Sequence, residues 1–255
     1  MSSSAELHAA AQRGDLDARE LAGRFALPKV VLLDRVSSTM DAGHALGAQG
    51  AAAGTLVLAD AQTAGRGRQG RTWSSEPGAG IWLTLIERPT DAGVLEVLSI
   101  RAGISIAPAL EPFAAAPVRL KWPNDLYSGN AKLGGILIEA RWRGERLDWV
   151  AIGVGINLRV PSSESRATAL RPGTSRLDVL SAILPRLRAA AASTGRLTPD
   201  ERAAFAARDL AVGRPCVEPA VGRVRGIDEC GALLVETASG VVTARAGSLV
   251  FQEER

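Results

Sequence analysis

Uninterrupted apolar runs and segments of helical period alternate along this chain and mark out its elements. KVVLLDRV, from Lys29, reads as a buried strand; SSTMDAGHALGAQG reads as a Ser/Thr cap and a short helix ending near Gly50. TLVLAD (Thr55 to Asp60) and IWLTLIER (Ile81 to Arg88) are further strands, and Val94 to about Phe113 is an apolar helix. RLKW is a short strand broken by Pro123. KLGGILIEARW and LDWVAIGVGINL read as two long strands joined at Arg143-Gly144-Glu145, a hairpin signal. Pro161 to Gly173 is polar and proline-flanked, which predicts a mobile loop. Thr174 to about Thr194, kinked at Pro185, and Pro199 to Leu210 read as helices. After Leu210 the texture changes to short strands and glycine turns, the pattern of a small five-strand barrel. The expected organisation is a polar tail with one short helix over 1–26, a main domain over 27–210 and a small domain over 211–255.

Composition narrows the possibilities. With 46% hydrophobic and 22% charged residues the chain reads as globular. No apolar run approaches the ~20 residues that span a bilayer, and the N-terminus lacks a charged-then-apolar targeting pattern. Cys216 and Cys230 form no CxxC, so neither a disulfide framework nor a zinc site is expected, and the cytoplasm is the expected compartment. A net charge of +3, from 30 basic against 27 acidic side chains, is too balanced for bulk DNA affinity. The basic residues divide unevenly: Lys29, Lys121 and Lys132 are the only lysines. An ammonium is a compact point charge and guanidinium a rigid fork. Two lysines inside KWPNDLYSGNAKLGG therefore hint at a place where a point charge matters. His8 and His44 lie away from every motif, and surface or packing roles suffice for them.

GRGRQG, from Gly65, satisfies the GxGxxG pattern of dinucleotide-binding folds, but its context does not. A preceding strand is present in TLVLAD, yet RTWSSEPGAG follows, and Pro77, Gly78 and Gly80 leave no room for a helix to start. No Gly-Lys-Ser/Thr occurs, so a P-loop is excluded as well. What remains is Arg66, Arg68 and Arg71 framed by Gly65, Gly67 and Gly70. Three like charges at this spacing repel one another, and the glycines give the segment no reason to order alone. A polyanion reverses that balance, because glycine amides approach phosphate oxygens while guanidinium forks neutralise them. The expectation is a loop that closes over a phosphorylated ligand.

GRGRQGRTW, KWPNDLY, KLGGILIE and GVGIN, in that order, closely resemble the catalytic domain of biotin–[acetyl-CoA-carboxylase] ligases, and GIDECGALLVETASG resembles their small C-terminal domain. The resemblance runs from about Leu27 to Phe251. It implies an α+β fold, a central mixed β-sheet flanked by helices of the class II aminoacyl-tRNA synthetase and biotin synthetase kind, with a C-terminal SH3-like barrel. It also implies the short, enzyme-only type without an N-terminal DNA-binding domain. The implied reaction makes biotinyl-5′-AMP from biotin and ATP with Mg²⁺, then passes biotin to one lysine of a biotin carboxyl carrier domain. The partner is thus a biotin-dependent carboxylase, with neither DNA nor membrane involved; the enzyme itself is a monomer or homodimer.

By the same resemblance Lys132 bridges the biotin carboxylate and the α-phosphate, Arg68 touches their junction, and Arg66 and Arg71 lie nearby on phosphates. Asn124 sits at nucleotide and metal, with Mg²⁺ carried mainly by the nucleotide phosphates, and Asp125 orients or deprotonates the incoming lysine amine. Lys121 and Asn157 are further nucleotide contacts. Biotin maps onto Ser38, Thr39, Met40, Gln62, Gly65, Arg66, Gly67, Arg68, Trp73 and Lys132. Ser38 and Thr39 also suit a helix N-cap. Met40 is a departure, since the family often has Asn there: a backbone contact survives the change and a side-chain contact does not. No aromatic in VVTARAGSLV can close over an adenine, which leaves loop 161–173 as the candidate. Two other readings stand beside this one: a lipoyl or octanoyl transferase of the same fold, and a non-catalytic biotin sensor.

Overall fold

The computed structural model describes residues 12–13 and 16–254. Its centre is a seven-stranded mixed sheet. The first described elements are β1 (Gln12–Arg13), paired antiparallel with β2 (Leu16–Asp17), and the short helix α1 (Ala18–Arg24). Next come β3 (Val30–Val36), helix α2 (Thr39–Ala48), β4 (Thr55–Gln62) and β5 (Gly80–Glu87). Helix α3 (Leu98–Leu110) leads to β6 (Val118–Lys121), β7 (Asp125–Ser128), β8 (Ala131–Arg143) and β9 (Arg146–Asn157). The spatial order is β3-β4-β5-β9-β8-β7-β6, parallel only between β3 and β4. Helices α4 (Arg176–Ala192) and α5 (Pro199–Arg208) complete this layer, and α4 runs through Pro185 without interruption.

Period-two alternation sorts the side chains between the two faces. In β4, Leu56 and Leu58 enter the large core shared with α3 and α4, whereas Val57 and Ala59 pack with Ala42 and Leu46 of α2. In β9 the large residues Val150, Ile152, Val154 and Ile156 all belong to the main core. The opposite face of that strand shrinks from Trp149 through Ala151 to Gly153 and Gly155, so the sheet is bare where α2 begins.

The remaining strands, β10 (Pro215–Glu218), β11 (Gly222–Ile227), β12 (Leu233–Thr237), β13 (Gly240–Ala244) and β14 (Val250–Phe251), form a five-stranded antiparallel sheet. Its Val224, Leu233, Leu249 and Phe251 join the same core as α3, and the Trp122 Nε1–H donates to the Gly231 carbonyl at 2.9 Å. At the other end of the chain, Leu16 and Leu21 are buried, so part of the segment read as a polar tail is core; the remainder of it, with His8, lies outside the described residues. No helix of the described residues is long and apolar enough to cross a membrane.

One buried ion pair locks the helical layer. Arg101 of α3 holds both carboxylate oxygens of Glu201 and also donates to the carbonyls of Gly195 and Arg196. Arg101→Ala leaves that carboxylate with only the Thr198 amide and leaves those carbonyls unpaired, at an expected cost of about 3 kcal/mol in a denaturant titration.

Candidate active site

Above the bare stretch of β9 lies a cavity of about 480 Å³, within the usual range for small-molecule sites. Its floor is made by packing around glycine. A Cβ on Gly155 would lie 2.6 Å from Trp73 Nε1, and one on Gly153 2.7 Å from the Met40 sulfur. Trp73 therefore lies against Gly155, with Gly135 beside it, and its ring meets Trp82 edge-on at 6.4 Å. The glycines of KLGGILIE and GVGIN make room for an indole and for neighbouring backbone, and Gly135, Gly153 and Gly155 also border the cavity.

One end of the cavity is a fixed polar array. Ser38 caps α2 by accepting from the Met40 amide, which turns Thr39 into the first helical residue. Gln62 Oε1 accepts from the Thr39 amide at 2.8 Å and from its hydroxyl at 3.1 Å. Gln62 Nε2 donates to Ser75 Oγ at 2.7 Å, and Thr84 donates to Thr39 Oγ1 at 3.0 Å. All these groups are at least half-buried, and each locks the rotamer of the next. Met40 is itself buried and turns apolar surface to the cavity.

The arginine loop closes one wall. It is a tight hairpin: the Trp73 amide donates to the Gly65 carbonyl at 2.8 Å and the Gly67 amide to the Arg71 carbonyl at 2.7 Å. Gln69 and Gly70 turn the tip with φ of 56° and 72°, a region glycine reaches without strain. Gly65 has no room for a side chain, since a Cβ there would lie 2.4 Å from the Trp73 carbonyl oxygen. Arg68 and Arg71 line the cavity. Burial lowers the Arg68 pKa, Asp125 opposes that and Arg71 adds to it; the guanidinium stays charged throughout. Arg71 donates to Ser248 Oγ at 3.0 Å, and Ser248 donates to Gln69 at 3.0 Å, so the small sheet's side of the molecule grips the loop.

Arg66 corrects the sequence-based expectation. Its backbone borders the cavity, but its guanidinium pairs with Asp41 at 2.5 Å and with Glu139, carboxylates of α2 and β8, rather than being left for a phosphate. Two of the three cations remain to repel each other, and the loop has internal hydrogen bonds that its composition alone does not suggest.

Lys132 and Asp125 stand where the apolar floor meets the more open end. Their Nζ and Oδ1 are 2.7 Å apart, and the ammonium lies 5.3 Å from the Trp73 ring centroid. Lys132 is held by its backbone too: its amide donates to the Arg166 carbonyl, and its own carbonyl accepts from Thr168. Loop 161–173 is thus stitched to β8 and places Pro161, Glu164, Arg166 and Ala167 on the cavity wall.

Three further candidates are committed to the fold. The Asn124 side chain donates to the Ile136 carbonyl at 2.7 Å, and the amide of Ile136 donates back to the Asn124 carbonyl. Asn157 Nδ2 donates to the Thr168 carbonyl at 3.0 Å, while its buried Oδ1 has no protein partner among the described residues. The Lys121 ammonium is bonded to both oxygens of Glu254 and lies 4.5 Å from the Phe251 ring centroid, so it ties the main sheet to the C-terminal segment. Beside it, burial together with the charges of Asp125 and Glu254 pushes the Tyr127 phenol well up, so it stays neutral.

Several lining residues have no signal in the sequence, among them Tyr127, Arg166 and Ser248. Thr84, which supports Thr39 without lining the cavity, does have one: it is the lone polar residue inside the apolar run IWLTLI. His44, read as uninvolved, bonds Glu139 and thereby reaches the arginine loop at one remove. Among the described residues no group of three or more His, Cys, Asp or Glu could hold a metal ion.

Comparison with known proteins matches this architecture. Residues 32–157 match the biotin/lipoate A/B protein ligase family, and residues 218–251 match the biotin protein ligase C-terminal domain. The chain is 32% identical over 214 residues to the biotin–[acetyl-CoA-carboxylase] ligase of Mycobacterium tuberculosis, covering 77% of this chain and 79% of that one. It is 39% identical over 137 residues to the bifunctional ligase/repressor BirA of Bacillus spizizenii, covering 53% of this chain but 42% of that protein. In structure it resembles the biotin protein ligase from Aquifex aeolicus in complex with biotin and ATP, with a TM-score of 0.73, 26% identity, and coverage of 89% and 99% of the two chains. By the matched sheet, the matched C-terminal module and the likeness over most of its length, the chain belongs to the biotin protein ligase family.

Proposed function

We propose that this protein activates biotin with ATP and transfers it to a lysine of a carboxylase's biotin carrier domain. The observation that carries the reading is the meeting of Lys132, Arg68 and Asp125 at the junction between an apolar, tryptophan-lined trough and an open basic end. The array of Ser38, Thr39 and Gln62 suits a ureido ring, which offers both N–H donors and a carbonyl. A dithiolane has neither, and this favours biotin over a lipoyl group. The valeryl chain then runs over Trp73 toward Lys132.

In the first step a biotin carboxylate oxygen bonds to the α-phosphorus of ATP, and the bond to pyrophosphate breaks. Two anions must meet for this, and Lys132 and Arg68 offset their repulsion and the charge that builds on phosphorus. Mg²⁺ would arrive on the triphosphate, where it would offset phosphate charge. In the second step a deprotonated lysine ε-amine bonds to the acyl carbon and AMP leaves. Asp125, beside the junction, orients that amine or takes its proton. The orphaned Oδ1 of Asn157 suits an adenine amino group, and the wall from loop 161–173 would close over the base.

Release of pyrophosphate that requires both biotin and ATP tests the first step; no release with both present defeats the reading. The trough carries its own prediction. Gly155→Ala drives a methyl into Trp73, and the biotin KM should rise about tenfold or more, since a displaced ring removes about 1–3 kcal/mol of apolar contact. An unchanged KM would place biotin elsewhere.

A further inference from the structure

The clasp on Arg66 is not explained by binding or chemistry in the cavity, since its carboxylates lie on the outer flank of the arginine loop. Glu139 pairs with Arg66 on one oxygen, and its other oxygen is 2.9 Å from His44 Nε2. His44 Nδ1 accepts from the Trp149 indole N–H at 3.1 Å. An indole nitrogen can only donate, so Nδ1 carries no proton and Nε2–H is the donor to Glu139. Burial lowers the His44 pKa, in keeping with a neutral ring. Trp149 is seated in turn against Gly47, where a Cβ would lie 2.6 Å from the ring. A chain of fixed groups therefore runs from the helix–sheet packing to a single carboxylate, and from there to the loop.

We infer that Glu139 is a positioning residue for the reaction: acting through Arg66, it holds the arginine loop against the cavity and so retains the acyl-adenylate until the carrier arrives. This rests on the function proposed above. Glu139 does not itself line the cavity; its carboxylate is largely buried and already ionically engaged, with Arg141 at 3.6 Å as a second cation. Asp41 is half-exposed and contributes the weaker arm. Ser248 grips the opposite flank, so loss of Glu139 frees one side of the loop and leaves the other tethered.

The test uses the full chain and four proteins: wild type, Glu139→Gln, Arg66→Ala and the double variant. Glutamine keeps the size of Glu139 and an acceptor for His44 but removes the charge. Pre-formed adenylate is chased with unlabelled biotin in the absence of carrier, and its loss to solvent is timed. Glu139→Gln is expected to speed that loss about tenfold, the effect of one charged hydrogen bond, with single-turnover pyrophosphate release within about threefold of wild type. The double variant should lose adenylate no faster than Arg66→Ala alone, because both changes cut one link. Retention equal to wild type in Glu139→Gln, or additive effects in the double variant, overturns the inference. If wild type itself makes no adenylate, the functional reading fails and takes this inference with it. Wild-type adenylate formation with unaltered retention in the variant sinks the inference alone.

Discussion

Replacing Arg68 by glycine is expected to produce an enzyme that still makes the adenylate but cannot keep it. In the chemistry proposed above the guanidinium stands at the join between carboxylate and phosphate, and charged hydrogen bonds of that kind are worth about 1.5–3 kcal/mol each. Removing two of them corresponds to roughly a 10²-fold faster escape. The freed mixed anhydride then acylates whatever amines it meets. Incubated with a mixture of unrelated proteins, biotin and MgATP, the Arg68→Gly variant should label bystander lysines that wild type leaves alone. Strict carrier specificity in that variant would contradict the role given to the loop.

The second large effect belongs to Lys132. Lys132→Met keeps the length and apolar stem of the side chain and removes its charge, so the repulsion between the two substrate anions is no longer offset. Pyrophosphate release should fall about 10³-fold, the upper end of what a single pre-placed donor contributes. Lys132→Arg should not restore it, because a planar fork cannot take the place of a point cation packed on Trp73. Stability should change little, as the ion pair with Asp125 is about one-third exposed on the lysine side, and such pairs are worth about 0–1 kcal/mol. A variant that melts early, or one that keeps wild-type pyrophosphate release, speaks against this assignment.

The two kinds of residue differ in how far the sequence reveals them. WVAIGVGIN announces both a strand and its site, because alternation with large residues on one face and shrinking ones on the other needs no knowledge of what packs above. The motif residues Lys132, Asp125 and Arg68 are likewise local to their segments, and the fold does bring them together. Strand β7 escapes because DLYS, directly after Pro123-Asn124, carries too little pattern to register. Arg66 escapes for another reason. Along the chain its charge has only the neighbouring arginines to be set against, whereas its carboxylates arrive from Asp41 and Glu139, 25 and 73 residues away. Which acid meets which base depends on sheet register and helix seating, and no spacing rule reports either. Lys121, which also lines the cavity, meets Glu254 by the same kind of long-range pairing.

The glycines hold a related lesson. Gly135 and Gly155 stand where a side chain would press on Trp73. They serve the site by letting an indole lie against the sheet and form the floor over which an acyl chain can run. The same indole then carries Lys132 at the far end, so trough and cation are set by one side chain.

The central claim is that this cavity joins biotin to AMP and delivers it to a single lysine. The most direct measurement is the intact mass of a biotin carrier domain after incubation with the protein, biotin and MgATP, followed by peptide mapping. One biotinyl group should appear on one lysine, in a reaction that depends on ATP and is lost in Lys132→Met. A carrier of unchanged mass, or labelling that proceeds without ATP, would contradict that claim.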